Sequence, residues 1–210
     1  MSVKNRLHGC YVITDDTLTP NETLLEQVEQ ALLGGASIVQ LRDKKNSDEV
    51  IREKIKSVQK LCKNYNALFV LNDKIDLAIE LECDGLHIGK SDHDRFDEIR
   101  ENFKGVIGVS CYGEIDMAKD FQDRGADYVA FGSFFTSPTK PDSNIIELNI
   151  LKEAKSQLTI PICAIGGINT QNINDIMSYH PDMVCVINDI WSASDIKTQS
   201  RFYTNQFKTL

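Results

Sequence analysis

Three clusters in this sequence combine enough positive charge or backbone freedom to handle a polyanion. The first is Gln40-Leu41-Arg42-Asp43-Lys44. In an extended chain alternate side chains share a face, so Gln40, Arg42 and, if the extension continues, Lys44 project together. An amide and two cations suit a diphosphate, although a solvated charge run opening a loop has the same composition. The second cluster is Ser137-Pro138-Thr139-Lys140-Pro141, two hydroxyls and an ammonium around a proline-stiffened turn that can wrap an anion or be a plain turn. The third is Gly166-Gly167, whose amides can approach a phosphate closely, as they also would in any tight turn.

Carboxylates supply the complementary chemistry. Asn72-Asp73 and Asp92, with Asp94 nearby, offer the one or two acidic ligands that Mg²⁺ takes when substrate phosphates and water complete its shell. Each aspartate can equally cap a helix, and capping is compatible with metal binding. His87 lies within an apolar run and reads as a hydrogen-bonded barrel residue. Ser110 reads as a substrate contact, Cys111 beside it as inert for want of a base, and Trp191 as packing.

These groups share a placement: each lies within, or just after, one of eight short apolar runs. The runs are Tyr11 to Thr14, Ile38 to Leu41, Ala67 to Leu71, Gly85 to Ile88, Val106 to Val109, Tyr128 to Phe131, Ile162 to Ile165 and Met183 to Ile187. They are continuous, as expected for strands covered on both faces. Between them lie helical periodicities such as Ile51, Ile55, Val58 and Cys62, or Leu148, Leu151, Lys155 and Leu158. Asn21, Ser47 and Asn169 stand where helix N-caps belong. Eight strand–helix units predict a (β/α)₈ TIM barrel, one domain spanning residues 1–210, with chemistry at the C-terminal strand ends. An open doubly wound sheet is the alternative; it would have fewer strands and a single glycine-rich first turn.

With a net charge of −8 no basic face for nucleic acid is evident from the counts, so anionic ligands need local cations. Six cysteines without a Cys-x-x-Cys pair predict reduced, buried thiols in a cytoplasmic protein. Leu7-His8-Gly9-Cys10 looks like a lipoprotein cleavage site but lacks a preceding apolar segment. No run is long enough to span a bilayer. Oligomeric state is left open, with room for a homo-oligomer.

Taken in order, Val39-Gln40-Leu41-Arg42-Asp43-Lys44, Leu71-Asn72-Asp73, Asp84-Gly85-Leu86-His87-Ile88-Gly89, Gly108-Val109-Ser110, Ser137-Pro138-Thr139-Lys140 and Ala164-Ile165-Gly166-Gly167-Ile168 resemble the thiamine-phosphate synthase family. The resemblance covers nearly the whole chain. It implies that a pyrimidine carrying a diphosphooxymethyl group joins a thiazole phosphate, or its carboxylated form, giving thiamine phosphate and diphosphate. It further implies that the C–O bond breaks largely before the thiazole nitrogen attacks. In that scheme Arg42, Lys44, Ser110 and Lys140 act at the reaction, with Mg²⁺ on Asp73 and Asp92. Gln40, Asn72, Ser110 and Thr139 match positions that hold the pyrimidine diphosphate, while Ser137 and Gly167 match positions that hold the thiazole phosphate.

Departures concentrate on the thiazole-phosphate side. Many relatives carry Ser where Asn188 stands; an amide still donates a hydrogen bond, so Asn188 is kept as a substrate contact. Asp189 is expected to point away from the phosphate. Asn144-Ile145-Ile146-Glu147 replaces a common glycine, and His180-Pro181-Asp182 a common Gly-Ala-Asp turn. A thiazole tautomerase of the same fold, or an idle thiamine-phosphate-binding protein, are the competing readings. Retention of Arg42, Lys44, Asn72, Asp73, Asp92, Thr139 and Lys140 together favours the synthase.

Overall fold

The computed structural model describes residues 6–137 and 143–208. Eight strands, β1 (Gly9–Ile13), β2 (Ile38–Leu41), β3 (Leu68–Asn72), β4 (Gly85–Ile88), β5 (Val106–Tyr112), β6 (Tyr128–Phe131), β7 (Ile162–Ile165) and β8 (Met183–Val186), pair in sequence order. Every pairing is parallel, and β8 returns to β1, so the sheet closes as the sequence predicts. Four strands have the predicted bounds; β5 runs three residues further, to Tyr112, past an irregular register at Ser110.

The helices are α1 (Leu24–Leu33), α2 (Asp48–Asn64), α3 (Ile75–Glu80), α4 (Phe96–Asn102), α5 (Ile115–Asp123), α6 (Asn149–Gln157), α7 (Ile173–Met177), α8 (Asn188–Trp191) and α9 (Ile196–Gln206). A 3-10 helix, Lys90–Arg95, precedes α4. The stripe Ile51, Ile55, Val58 and Cys62 is buried on α2, which is what its spacing requires. Ser47 occupies the α2 N-cap position in extended backbone without a side-chain capping bond. Thr23, not Asn21, precedes α1. Asn169 organises the turn before α7 through its side-chain oxygen, which accepts the N–H groups of Gln171 and Asn172.

Alternation along each strand makes two cores. Val12, Val39, Phe69, Ile107, Val129 and Val184 face outward against the helices, while Tyr11, Ile38, Leu68, Val70, Val106, Tyr128, Cys163 and Met183 fill the barrel. The N-terminal ends are pinned by a repeated device. Asp84, Asp127 and Asp182, each placed before an even strand, accept the N–H groups of Phe69, Ile107 and Ile162 at the start of the preceding odd strand. Arg6, Arg100 and Lys155 pair with those carboxylates at 3.8, 2.9 and 2.9 Å. This end is stabilised by charge that no ligand needs to share.

The C-terminal end differs. Near the ends of β2 to β5 the cavity-facing side chains are Gln40, Asn72, His87 and Ser110; from β6 round to β1 they are Ala130, Ile165, Ile187 and Ile13. One half of the barrel floor is therefore polar and the other apolar.

Candidate active site

Over that floor lies a cavity of about 770 Å³, walled by the loops after the strands. Its volume suits a small organic ligand of the size pockets usually hold.

The loop after β2 is built around Asp43. Its carboxylate is buried and accepts the N–H groups of Lys45 and Asn46, the Asn46 amide and the Lys54 ammonium of α2. Burial works to raise this carboxyl, but the hydrogen bonds from Lys54 and Asn46 outweigh it and bring it down to about 2. At the β2 end, the Arg42 N–H donates to Thr14 Oγ1 at 2.9 Å, tying β2 to β1, and Arg42 lines the cavity with Gln40. Lys44 departs from the predicted shared face, because β2 ends at Leu41. Its ammonium instead lies 3.4 Å from Asp73.

Asp73 sits where β3 turns sharply, with a left-handed φ of 60° that aspartate tolerates better than most residues. Its N–H donates to the His87 carbonyl at 3.0 Å, holding the β3 end against β4. Gly89 follows β4, and the Asp92 N–H donates to the Gly89 carbonyl at 3.0 Å. A Cβ at Gly89 would lie 4.0 Å from Asp73 Oδ1 and meet no other atom that close outside its chain neighbours. The space beside the Asp73 carboxylate at Gly89 is therefore open. Neither Asp73 nor Asp92 acts as the N-cap of a following helix: Lys74 precedes α3, and Asp92 lies inside the 3-10 helix. Among the described residues no group of three or more His, Cys, Asp or Glu side chains could cage a metal, so a cation here would depend on ligand oxygens.

The loops after β6 and β7 are locked together. The Phe135 N–H donates to the Gly166 carbonyl at 3.0 Å, and the Asn172 amide donates to the Gly167 carbonyl at 3.0 Å. Gly167 has φ 65°, and a Cβ there would strike the carbonyl oxygens of Thr136 and Phe135, so glycine is required by space as well as by backbone. Ser137 and Gly167 both line the cavity. Thr139 and Lys140 lie outside the described residues.

After β8, Asn188 and Asp189 begin α8 and reach the cavity wall. One oxygen of the Asp189 carboxylate accepts hydrogen bonds from Gln199 and Tyr203 of α9, which draw it toward that helix although the residue also lines the cavity. Trp191 is buried and donates its indole N–H to the Ile13 carbonyl at 2.6 Å, fastening α8 to β1.

Of the residues singled out in the sequence, Gln40, Arg42, Asn72, Ser110, Ser137, Gly167 and Asn188 meet around one cavity, whereas Lys44, paired to Asp73, and Asp92 are not among its lining residues. Lys90, Tyr112, Glu114, Met117 and Ile146 also line it and were not anticipated. Tyr112 was concealed by the unforeseen length of β5, and Lys90 by its position in a 3-10 turn rather than at a strand end. All six cysteines are buried and none forms a disulfide; burial pushes Cys111 to about 12, which leaves it inert as predicted.

Residues 10–190 match the family model described as thiamine monophosphate synthase. The chain belongs to that family. A thiamine-phosphate synthase of Wolinella succinogenes is 43% identical over 189 residues, covering 89% of this chain and 87% of that protein. One of Picrophilus torridus is 37% identical over 206 residues, 98% and 99% of the two chains. A solved structure, the thiamine phosphate pyrophosphorylase of Pyrococcus furiosus, superposes with a TM-score of 0.86 at 31% identity over 99% of this chain and 98% of that one.

Proposed function

We propose that this chain is a thiamine-phosphate synthase, a transferase that joins the pyrimidine diphosphate to the thiazole phosphate and releases diphosphate. The observation that carries the reading is the cavity itself: in a chain of this family, Arg42, Gln40, Asn72 and Ser110 occupy its polar half, while Ser137, Gly167 and Asn188 stand across it.

Charge develops on the leaving diphosphate, and fixed cations aimed at that charge lower the barrier most. Arg42 presents a planar fork for phosphate oxygens from the β2 end. Lys44, paired with Asp73, and Lys140 would add two further cations. Asp73 and Asp92 would hold Mg²⁺, which supplies charge neutralisation to the diphosphate when bound. Gln40, Asn72, Ser110 and Thr139 orient the pyrimidine diphosphate. Ser137, Gly167 and Asn188 hold the thiazole phosphate, and the apolar half of the floor accepts the rings. Holding both substrates in one cavity supplies proximity, and no side-chain nucleophile is needed. Six buried cysteines outside any disulfide support a cytoplasmic setting. Among the described residues no helix is long and apolar enough to cross a membrane.

The test is formation of thiamine phosphate and diphosphate from the two purified substrates, with Mg²⁺ and with EDTA. Metal-dependent formation of both products is expected. A folded protein that makes neither, with either substrate pair, refutes the reading.

A further inference from the structure

Beneath the cavity an unbroken run of hydrogen bonds crosses the barrel. Gln40 Nε2 donates to the Tyr11 hydroxyl at 2.7 Å, and Tyr11 and Tyr128 hydroxyls lie 2.9 Å apart. The Tyr128 hydroxyl is 3.0 Å from His87 Nδ1, and His87 Nε2 is 2.9 Å from Ser110 Oγ. Gln40, Tyr11 and Tyr128 are at most 1% exposed and His87 is 8% exposed, so unused donors here would carry the full cost of desolvation. Gln40, His87 and Ser110 line the cavity; the two tyrosines lie below it. Tyr128 is seated over Gly108, where a Cβ would collide with its ring, which accounts for the glycine in Gly108-Val109-Ser110.

The direction of the run follows from its first member. The Gln40 amide NH₂ can only donate, so the single Tyr11 proton has to go to Tyr128, and the Tyr128 proton to His87 Nδ1. The reverse order would set the Tyr11 proton against the Gln40 NH₂. Burial raises both phenols well above their ordinary value, so each keeps the proton it must donate. His87 Nδ1 is then an acceptor, the proton of the neutral ring lies on Nε2, and Nε2–H donates to Ser110 Oγ. The Ser110 hydroxyl proton is left to point into the cavity.

We propose that Gln40, Tyr11, Tyr128 and His87 form a directional relay that fixes His87 as the Nε2-protonated neutral imidazole and makes Ser110 a hydrogen-bond donor to an acceptor atom of the bound ligand. Tyr11 and Tyr128 are positioning residues in this scheme. The identity of that ligand as the pyrimidine diphosphate rests on the synthase reading; the tautomer and its dependence on Gln40 do not.

The experiment is nitrogen NMR of the imidazoles in ¹⁵N-histidine-labelled protein without substrates, at pH 8, with His87→Asn used to assign the His87 signals among the four histidines. The wild type is expected to carry the His87 proton on Nε2. Gln40→Glu, which puts an acceptor where the donor was, should reverse the run and move the proton to Nδ1, three hydrogen bonds away. Tyr128→Phe, which removes the donor to Nδ1, should let part of the proton move to Nδ1, should abolish the response to Gln40→Glu in the double variant and, in a synthase assay, should lower kcat/KM by about tenfold. A wild-type proton on Nδ1, a doubly protonated ring, or a His87 tautomer indifferent to both substitutions overturns the relay. If Gln40→Glu does not fold, the wild-type tautomer and the Tyr128→Phe spectrum decide.

Discussion

Replacing Asp43 by Asn perturbs the loop that presents Arg42 without removing any group that lines the main cavity. The wild-type carboxyl moves from 3.8 to about 2 on folding, because Lys54, Asn46 and two backbone N–H groups stabilise its charge against burial. That shift is worth about 2 kcal/mol. The sign follows from proton uptake: the unfolded chain binds this proton more readily, so the contribution is complete above the unfolded value and is lost as pH falls toward 2. In Asp43→Asn the amide oxygen can still accept the backbone N–H groups, but an NH₂ replaces the oxygen that faced Lys54, which leaves the ammonium without its partner. A loss of about 2–4 kcal/mol at pH 7 is expected, the upper end reflecting that abandoned charge. Urea unfolding of both proteins at stepped pH measures it. The gap should narrow by about 1 kcal/mol between about pH 5 and pH 3, as the wild type loses what the variant lacks. Parallel stability curves over that range would show that the Asp43 charge does not brace the loop, and the argument from its hydrogen bonds would fail.

Asp73→Ala should abolish Mg²⁺-dependent turnover while leaving the denaturation midpoint within a few degrees, and wild-type rates would remove it from the metal pair. Gly167→Ala forces a Cβ into two carbonyl oxygens at a left-handed φ, so a stability loss of about 1–3 kcal/mol with a raised KM for the thiazole phosphate is expected. An unchanged midpoint and KM would contradict the packing of the β6 and β7 loops. Tyr203→Phe takes one donor from Asp189 and lets its carboxylate swing toward the cavity; a several-fold higher KM for the thiazole phosphate with kcat preserved is the expected split. Equal rises with and without added salt would argue against charge repulsion as the cause.

The barrel was legible because β strands covered on both faces leave continuous apolar runs, and because a closed parallel sheet gathers whatever follows them at one end. Gln40, Arg42, Asn72 and Ser110 were found by that rule alone. Lys44 strayed from it since the strand stops at Leu41 and the neighbouring Asp73 captures the ammonium. Tyr11 and Tyr128 were read as strand residues, correctly, but their hydroxyls meet only when closure brings β1 and β6 to opposite sides of one core, a relation no local window contains. Asp84, Asp127 and Asp182 left a readable mark, an acid before every second strand from β4 onward, whose purpose emerges once each is seen to hold the strand before it.

Trp191 is the sole tryptophan, and its indole bonds to a carbonyl 178 positions earlier in the chain. The seam it fastens joins the last strand to the first, and a contact that closes so long a loop is expected to form late. The protein therefore carries an intrinsic fluorophore at its final closure. Emission followed during refolding times the shutting of the ring rather than the growth of its parts, and a lag behind helix formation in circular dichroism would measure how long the open sheet survives.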